Sequence, residues 1–192
     1  MSVLKLLCLV FLSTTLAALH AQPFSAHELA GLLADRTNRK EAIARIISAS
    51  SRWTPVLLSW TKNPPPTADR HELFVGLADA FGQLRTIEAI PFLVENIGIQ
   101  RRNRPNLWLK TIDVLMEGLP AAGALVRIGP EASKAIVDRY PTLPADERLV
   151  ALFAVANIGD PRARSFLAAE LGRATLERRW AQEGLRRLDD QK

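Results

Sequence analysis

The sequence predicts an all-α fold of about three to four stacked helical hairpins, and three observations carry the prediction. Apolar residues recur at helical spacing in almost every segment between Ser25 and Leu188. Ala, Leu, Arg and Glu, all strong helix formers, are plentiful, whereas aromatics make up only 6% of the chain. A short frame of Ala, then Leu or Ile, then a tight corner returns several times. With 192 residues, 48% hydrophobic and 23% charged, the chain is long enough and apolar enough for one domain with a sizeable core.

The first residues belong to a different class. Lys5 is followed by the uncharged apolar run from Leu6 to Leu19, too short to be favoured as a membrane span. This is the pattern of a secretory signal, with cleavage expected after Ala21 and an uncleaved anchor as the alternative. The position three before the cut is Leu19 rather than a small residue. The domains expected are therefore a signal peptide over 1–21 and a helical domain over 22–192, placed in the periplasm or secreted, with no membrane span once the signal is removed. Cys8 is the single cysteine and Leu7 precedes it, so lipid attachment is not expected. Its removal would exclude a disulfide framework, a thiolate metal site and a Cys nucleophile. The formal charge of +5 falls to +4 with the loss of Lys5, and the basic residues are interspersed with acidic ones. Nucleic acid is accordingly not the expected partner.

In chain order, Ser25 with Glu28 has the spacing of a capping box, and Leu29, Leu32 and Leu33 make the apolar face of a helix to Ala34. Ile43, Ile46 and Ile47 give a second helix from about Arg39 to Ser48. A corner at 48–52 precedes a short helix over Trp53 to Trp60, where Pro55 falls in the first turn. Pro64, Pro65 and Pro66 end that helix. From Thr67 or Asp69 a strong helix follows, with Leu73, Phe74, Leu77, Phe81 and Leu84 in one stripe. Ile90, Leu93, Val94 and Ile97 mark the next. Residues 98–107 read as a polar loop, and Trp108 to Met116 fits either a helix or an extended segment. Pro120 opens a helix through Ile128, Gly129 and Pro130 turn the corner, and Ala132, Ala135, Ile136 and Tyr140 define one face of its successor. Pro144 starts the helix that contains Leu149 to Ile158, and Thr175 to Leu188 forms the last.

Three of these segments share a frame. Residues 80–89 (AFGQLRTIEA) align without a gap with 154–163 (AVANIGDPRA), and 124–132 (ALVRIGPEA) aligns with one corner residue deleted. Residues 184–189 resemble the first half of a further copy. Each position has a physical role: Ala lets helices approach, Leu or Ile fills the space before the corner, Gly takes a left-handed conformation, and Asp-Pro starts the next helix. A single hairpin cannot bury its own apolar face, so such units stack.

The pattern A-x-x-x-[LI]-G-D-P-x-A-x-x-x-L resembles the HEAT-repeat family, in particular the short bacterial units described as phycobilisome-lyase-like. The resemblance is clearest over 70–190; Arg85, Thr86 and Ile87 depart from its Gly-Asp-Pro corner. It implies a right-handed α-α superhelix whose second helices line the concave side. On that side it places Glu88, Glu95, Ser133, Lys134, Arg162 and Arg164 as candidate partner-binding residues. Within Leu149 to Leu171, packing and turn geometry account for nearly every residue and leave Arg162, Arg164 and Glu170 open to a partner.

Catalytic constellations are sparse. His27 and His71 are each followed by Glu-Leu at a helix start and fall outside any His-Glu-x-x-His pattern. Asp69, Glu72, Asp79 and Glu88 read as helix-start and solvent-face carboxylates rather than an acid–base pair. Trp53, Trp60 and Trp180 read as core. The densest basic spot is Arg101, Arg102 and Arg104, with Trp108 beside it; it reads first as a loop solvated by its charge, and otherwise as a combination able to hold an anionic partner or a glycan. The expected function is a non-catalytic, exported scaffold for protein–protein interaction, with neither cofactor nor metal and its partner and oligomeric state unspecified. The alternatives are a lyase or isomerase, by analogy with tetrapyrrole lyases that share such repeats, and an anion-binding protein acting through the Arg101–Arg104 loop.

Overall fold

The computed structural model describes residues 24–102, 112–172 and 175–191. These residues form eleven α-helices and no strand. The expected signal peptide, Arg104 and Trp108 lie outside them. Among the described residues, no helix is long and apolar enough to cross a membrane.

Local signals set most helix ends. α1 (Ala26–Ala34) starts at the expected capping box: Glu28 N donates to Ser25 Oγ at 3.2 Å, and Ser25 N donates to the Glu28 carboxylate at 2.8 Å. α2 (Arg39–Ser48) matches the expected range. The corner after it is narrower than 48–52, with only Ala49 separating α2 from α3 (Ser50–Lys62). Pro55 therefore lies inside α3 instead of in its first turn. Trp53, Leu57 and Trp60 are buried, one helical face docked on the core.

α4 (Arg70–Leu84) is the central helix, capped by the Asp69 carboxylate, which accepts from Glu72 N at 2.9 Å. Its burial is broader than a single stripe and takes in nearly every residue from Glu72 to Gly82. The reason is its position, with α1 on one flank, α7 (Pro120–Ile128) on the other and α5 (Ile90–Glu95) behind. Phe92 of α5 meets Phe74 and Phe81 edge-on, with ring centroids 5.0 and 6.1 Å apart. Arg101 N donates to the carbonyl of Gly118, tying residues 98–102 to the end of α6 (Ile112–Gly118). The segment that fitted helix or strand is thus helical over its described part.

Eight of the eleven helices fall in two rows, while α2 and α3 pack on α4 and α6 packs on α7. α1, α4, α7, α9 (Ala145–Ile158) and α11 (Thr175–Asp189) follow one another in the first row, each packed on the next. In the second, α5 packs on α8 (Pro130–Arg139), and α8 meets the turn at 161–163 that leads into α10 (Arg164–Glu170). The sequence frame governs how the first row packs. A Cβ on Gly82, two residues before Leu84, would stand 2.8 Å from Ala124 Cα, four residues before Ile128. A Cβ on Gly184, four residues before Leu188, would stand 3.0 Å from Ala156 Cα, two residues before Ile158. The same pair of frame positions touches at both interfaces, and only a small residue fits there.

The corners repeat as well. Arg85 (φ 52°, ψ 46°) and Gly159 (φ 67°, ψ 33°) both adopt the left-handed conformation. Buried Thr86 and Asp160 follow, each leading into a 3-10 turn, Ile87–Ala89 and Pro161–Ala163, and then a short second helix.

Candidate functional site

Glu72, Asp79 and Gln83 lie at i, i+7 and i+11 on α4, almost in line along the helix. That line is opposite Phe74 and Phe81, so the charged stripe faces away from α5. Two arginines from the end of the first hairpin's corner close on it. Arg36 donates from Nε and Nη2 to Glu72 Oε1 at 3.1 and 2.7 Å. Arg39 donates from Nη2 to Glu72 Oε2 at 2.9 Å and to its carbonyl at 3.2 Å, while its Nε caps the end of α1 at the Leu33 carbonyl, 2.8 Å away. Glu72 and Arg39 are 6% and 5% exposed. Burial pushes the Glu72 carboxyl up, but the two guanidinium groups outweigh it and hold the acid at about 2. Glu72 is thus an ionised clamp, a correction to its reading as a solvent-face carboxylate.

The basic loop completes the cluster. Arg101 donates from Nη2 to both Asp79 carboxylate oxygens, at 2.6 and 2.7 Å, and from Nε to the Glu117 carbonyl at 2.7 Å. Arg102 reaches Asp69 at 3.0 and 3.4 Å. Asp69 and Asp79 are therefore ion-paired, not merely solvated.

An open cavity of about 460 Å³ lies over this stripe. Six cations line it, Arg36, Arg39, Lys40, Arg101, Arg102 and Arg127, against the three carboxylates Glu72, Asp79 and Glu117, leaving a formal excess of +3 (6 − 3). Arg127 Nη1 comes within 3.3 Å of the Cβ position of Gly82, which sets this guanidinium over the crossing of α4 and α7. Among the described residues, Arg127 and exposed Lys40 have no ion pair.

The other expected positions are more scattered. Glu88 and Glu95 are exposed, on the 87–89 turn and at the end of α5, and line neither cavity described here. Arg164 pairs with Asp189 at 2.7 Å. Ser133, Lys134 and Arg162 do come together, around a shallow groove of about 210 Å³ between α8 and α10 whose apolar members are Val137, Ala163 and Phe166. Ser133 is not on the outer face, however. It is 2% exposed, and its hydroxyl supports the Asp160 carboxylate beneath the corner. Burial pushes Asp160 up, and hydrogen bonds from Arg162 bring it below the usual carboxylate range. Arg162 also donates to the Pro130 carbonyl at 3.1 Å. Lys134 is exposed and pairs with Asp138 one turn on. Glu170 is likewise not open to a partner: it is 5% exposed and accepts from the Tyr140 hydroxyl at 2.7 Å.

Sequence reasoning missed Arg36, Arg39, Lys40, Gln83, Glu117 and Arg127. One signal for the stripe was present: Glu72, Asp79 and Gln83 share the polar line of an otherwise apolar helix. His27 is exposed, with Nδ1 3.3 Å from the Thr67 hydroxyl. Among the described residues, no three His, Cys, Asp or Glu side chains are grouped to hold a metal ion. No family model, curated protein or solved structure matches the chain.

Proposed function

We propose that the chain is an exported, non-catalytic scaffold of the HEAT-repeat type that docks a partner protein on its second-helix layer. In this reading the hairpins wind into a right-handed α-α superhelix, and removal of residues 1–21 releases the domain to the periplasm or the exterior. The repeated contacts of Gly82 with Ala124 and of Gly184 with Ala156 support the stacking. The observation that carries the docking role is the groove between α8 and α10. Val137, Ala163 and Phe166 supply its apolar surface and Lys134 and Arg162 its charged rim, the composition of a small protein-contact patch. The lyase or isomerase alternative draws no support from Glu72 and Glu183, each held at about 2 beside two arginines. Acids of that strength stay ionised near neutrality and have no proton to give.

The test is site-specific photocrosslinking in the native cell envelope. A crosslinking residue replacing Lys134 or Ser165, both on the groove, is expected to give a discrete adduct. The same residue replacing the exposed Ser59 on α3 is expected to give none. Absence of an adduct at the groove positions, or equal labelling at all three, overturns the docking role.

A second reading, an anion-binding protein, is favoured by the cationic cavity. In this form the site is the α4 stripe as a whole, and the basic loop contributes Arg101 and Arg102 to it.

A further inference from the structure

We propose that the cavity over the α4 stripe binds one small oxyanion carrying two or three negative charges, of the di- or tricarboxylate or phosphate-ester class. The proposal rests on the anion-binding reading and is independent of docking at the α8–α10 groove. Size is the first argument. About 460 Å³ lies within the range of small-molecule sites, roughly 300–1,000 Å³, and exceeds what a single simple ion fills. Charge is the second: the lining excess of +3, reduced to +2 by the Asp69 carboxylate that pairs with Arg102, calls for a ligand of two to three negative charges.

Donor geometry is the third argument and the most specific. Arg36, Arg39 and Arg101 each spend Nε and Nη2 on the protein. Among the described residues Nη1 of all three makes no hydrogen bond, and Lys40 and Arg127 add two cations with no ion pair. The carboxylates of Glu72 and Asp79 thus fix the guanidinium groups without exhausting them. Ordering long side chains is a main cost of binding charged ligands, and here it is met on folding. An ordinary solvated face has a different pattern, seen in this chain in the one-turn pairs Glu41–Arg45, Lys134–Asp138 and Glu183–Arg187. The cavity's pairs instead join residues 22 to 36 positions apart in sequence and bring two separate segments, 36–39 and 101–102, onto one helix.

Isothermal calorimetry on the purified chain, with citrate, inorganic phosphate and acetate as probes, tests the proposal. Citrate or phosphate is expected to bind saturably with one site per chain, and which of the two binds more tightly distinguishes a carboxylate from a phosphoryl ligand. Acetate, with a single charge, is expected to bind at least tenfold more weakly than the better probe. Lys40→Gln and Arg127→Gln should each weaken that probe by about tenfold. Asp79→Asn is the discriminating variant. If attraction were only a diffuse positive field, removing an acid would tighten binding; if Asp79 positions Arg101, removing it weakens binding. Thermal unfolding confirms that each variant is folded, and Lys40→Gln, at an exposed position, serves should Asp79→Asn not fold. No saturable binding of either probe, tightening by Asp79→Asn, or indifference to both Lys40→Gln and Arg127→Gln overturns the proposal. Photocrosslinking at residue 134 should be unchanged in Lys40→Gln, so this proposal and the docking role fail separately.

Discussion

Arg85 holds φ 52° and ψ 46°, the left-handed conformation that Gly159 takes at the equivalent corner, and it is the only described non-glycine residue with positive φ. The side chain brings a Cβ into a region that costs an L-residue roughly 1–2 kcal/mol. Arg85→Gly should therefore raise stability by about 1 kcal/mol, part of the relief being lost to the greater freedom of glycine in the unfolded chain. For a domain of this size that is about 2–4 °C in Tm, readable by calorimetry; an unchanged or lower Tm would mean the corner is strained elsewhere. Glu72 sets a second residue-scale expectation. Its folded pKa of about 2 lies below the ordinary 4.5, so its stabilising effect is complete above pH 4.5 and is lost as pH falls towards 2. Glu72→Gln should flatten that acid limb and cost about 2 kcal/mol or more at neutral pH, because Arg39 stays buried without its counter-charge. Glu183 shares the window, but its side chain is 26% exposed and its pairs are screened by salt. Denaturant titration in about 0.5 M salt isolates the Glu72 contribution. An acid limb of equal slope in the variant would contradict the clamp.

At the scale of the element, helices with short-range signals were legible in the sequence, and those with competing signals were not. The Ser25 capping box, the Asp69 cap and the Asp160 start of the 161–163 turn all act within three residues, and each stands where its sequence places it. α3 failed the same logic. Proline favours a first turn, so Pro55 pointed to a helix start near Trp53, yet burial of Trp53, Leu57 and Trp60 on one face rewards extending the helix back to Ser50. The extension leaves Pro55 without the N–H that would reach the Ser51 carbonyl. Pro55 is exposed, so Pro55→Ala restores that bond without touching the core. It should stabilise the protein by about 1–2 kcal/mol, the proline's restriction of the unfolded chain offsetting part of its helical cost. Urea denaturation followed by Trp53 and Trp60 fluorescence reads this, and a lower midpoint would show that the proline is accommodated without cost.

For the whole molecule, the all-helical class was legible and the cavity was not, for one physical reason. Helical periodicity is local to each unit, so a frame found at 154–163 can be sought at 80–89 and 124–132. The cavity depends on Arg36 and Arg39 meeting Glu72 across more than thirty residues, and no local period encodes which distant cations a polar stripe will meet. The proposed stacking predicts how the molecule comes apart, since in a linear array each helix depends chiefly on its neighbours. α11 buries Trp180, Ala181 and Leu188 while Arg178, Arg179 and Arg186 stay exposed. Phe153 of α9 meets Trp180 edge-on at 5.0 Å, and Leu167 of α10 approaches the Cβ position of Gly184 to 2.8 Å. A larger residue at 184 would collide with Leu167 and with Ala156 at once, so Gly184→Leu should separate α11 from both neighbours at a cost of about 3 kcal/mol. The loss should be local. Native-state hydrogen exchange is expected to show accelerated exchange over 175–189 and the facing side of α9, while α4 and α7, joined by their own Gly82–Ala124 contact, keep their protection. Uniform loss of protection along the chain would show a single cooperative core in place of a stack.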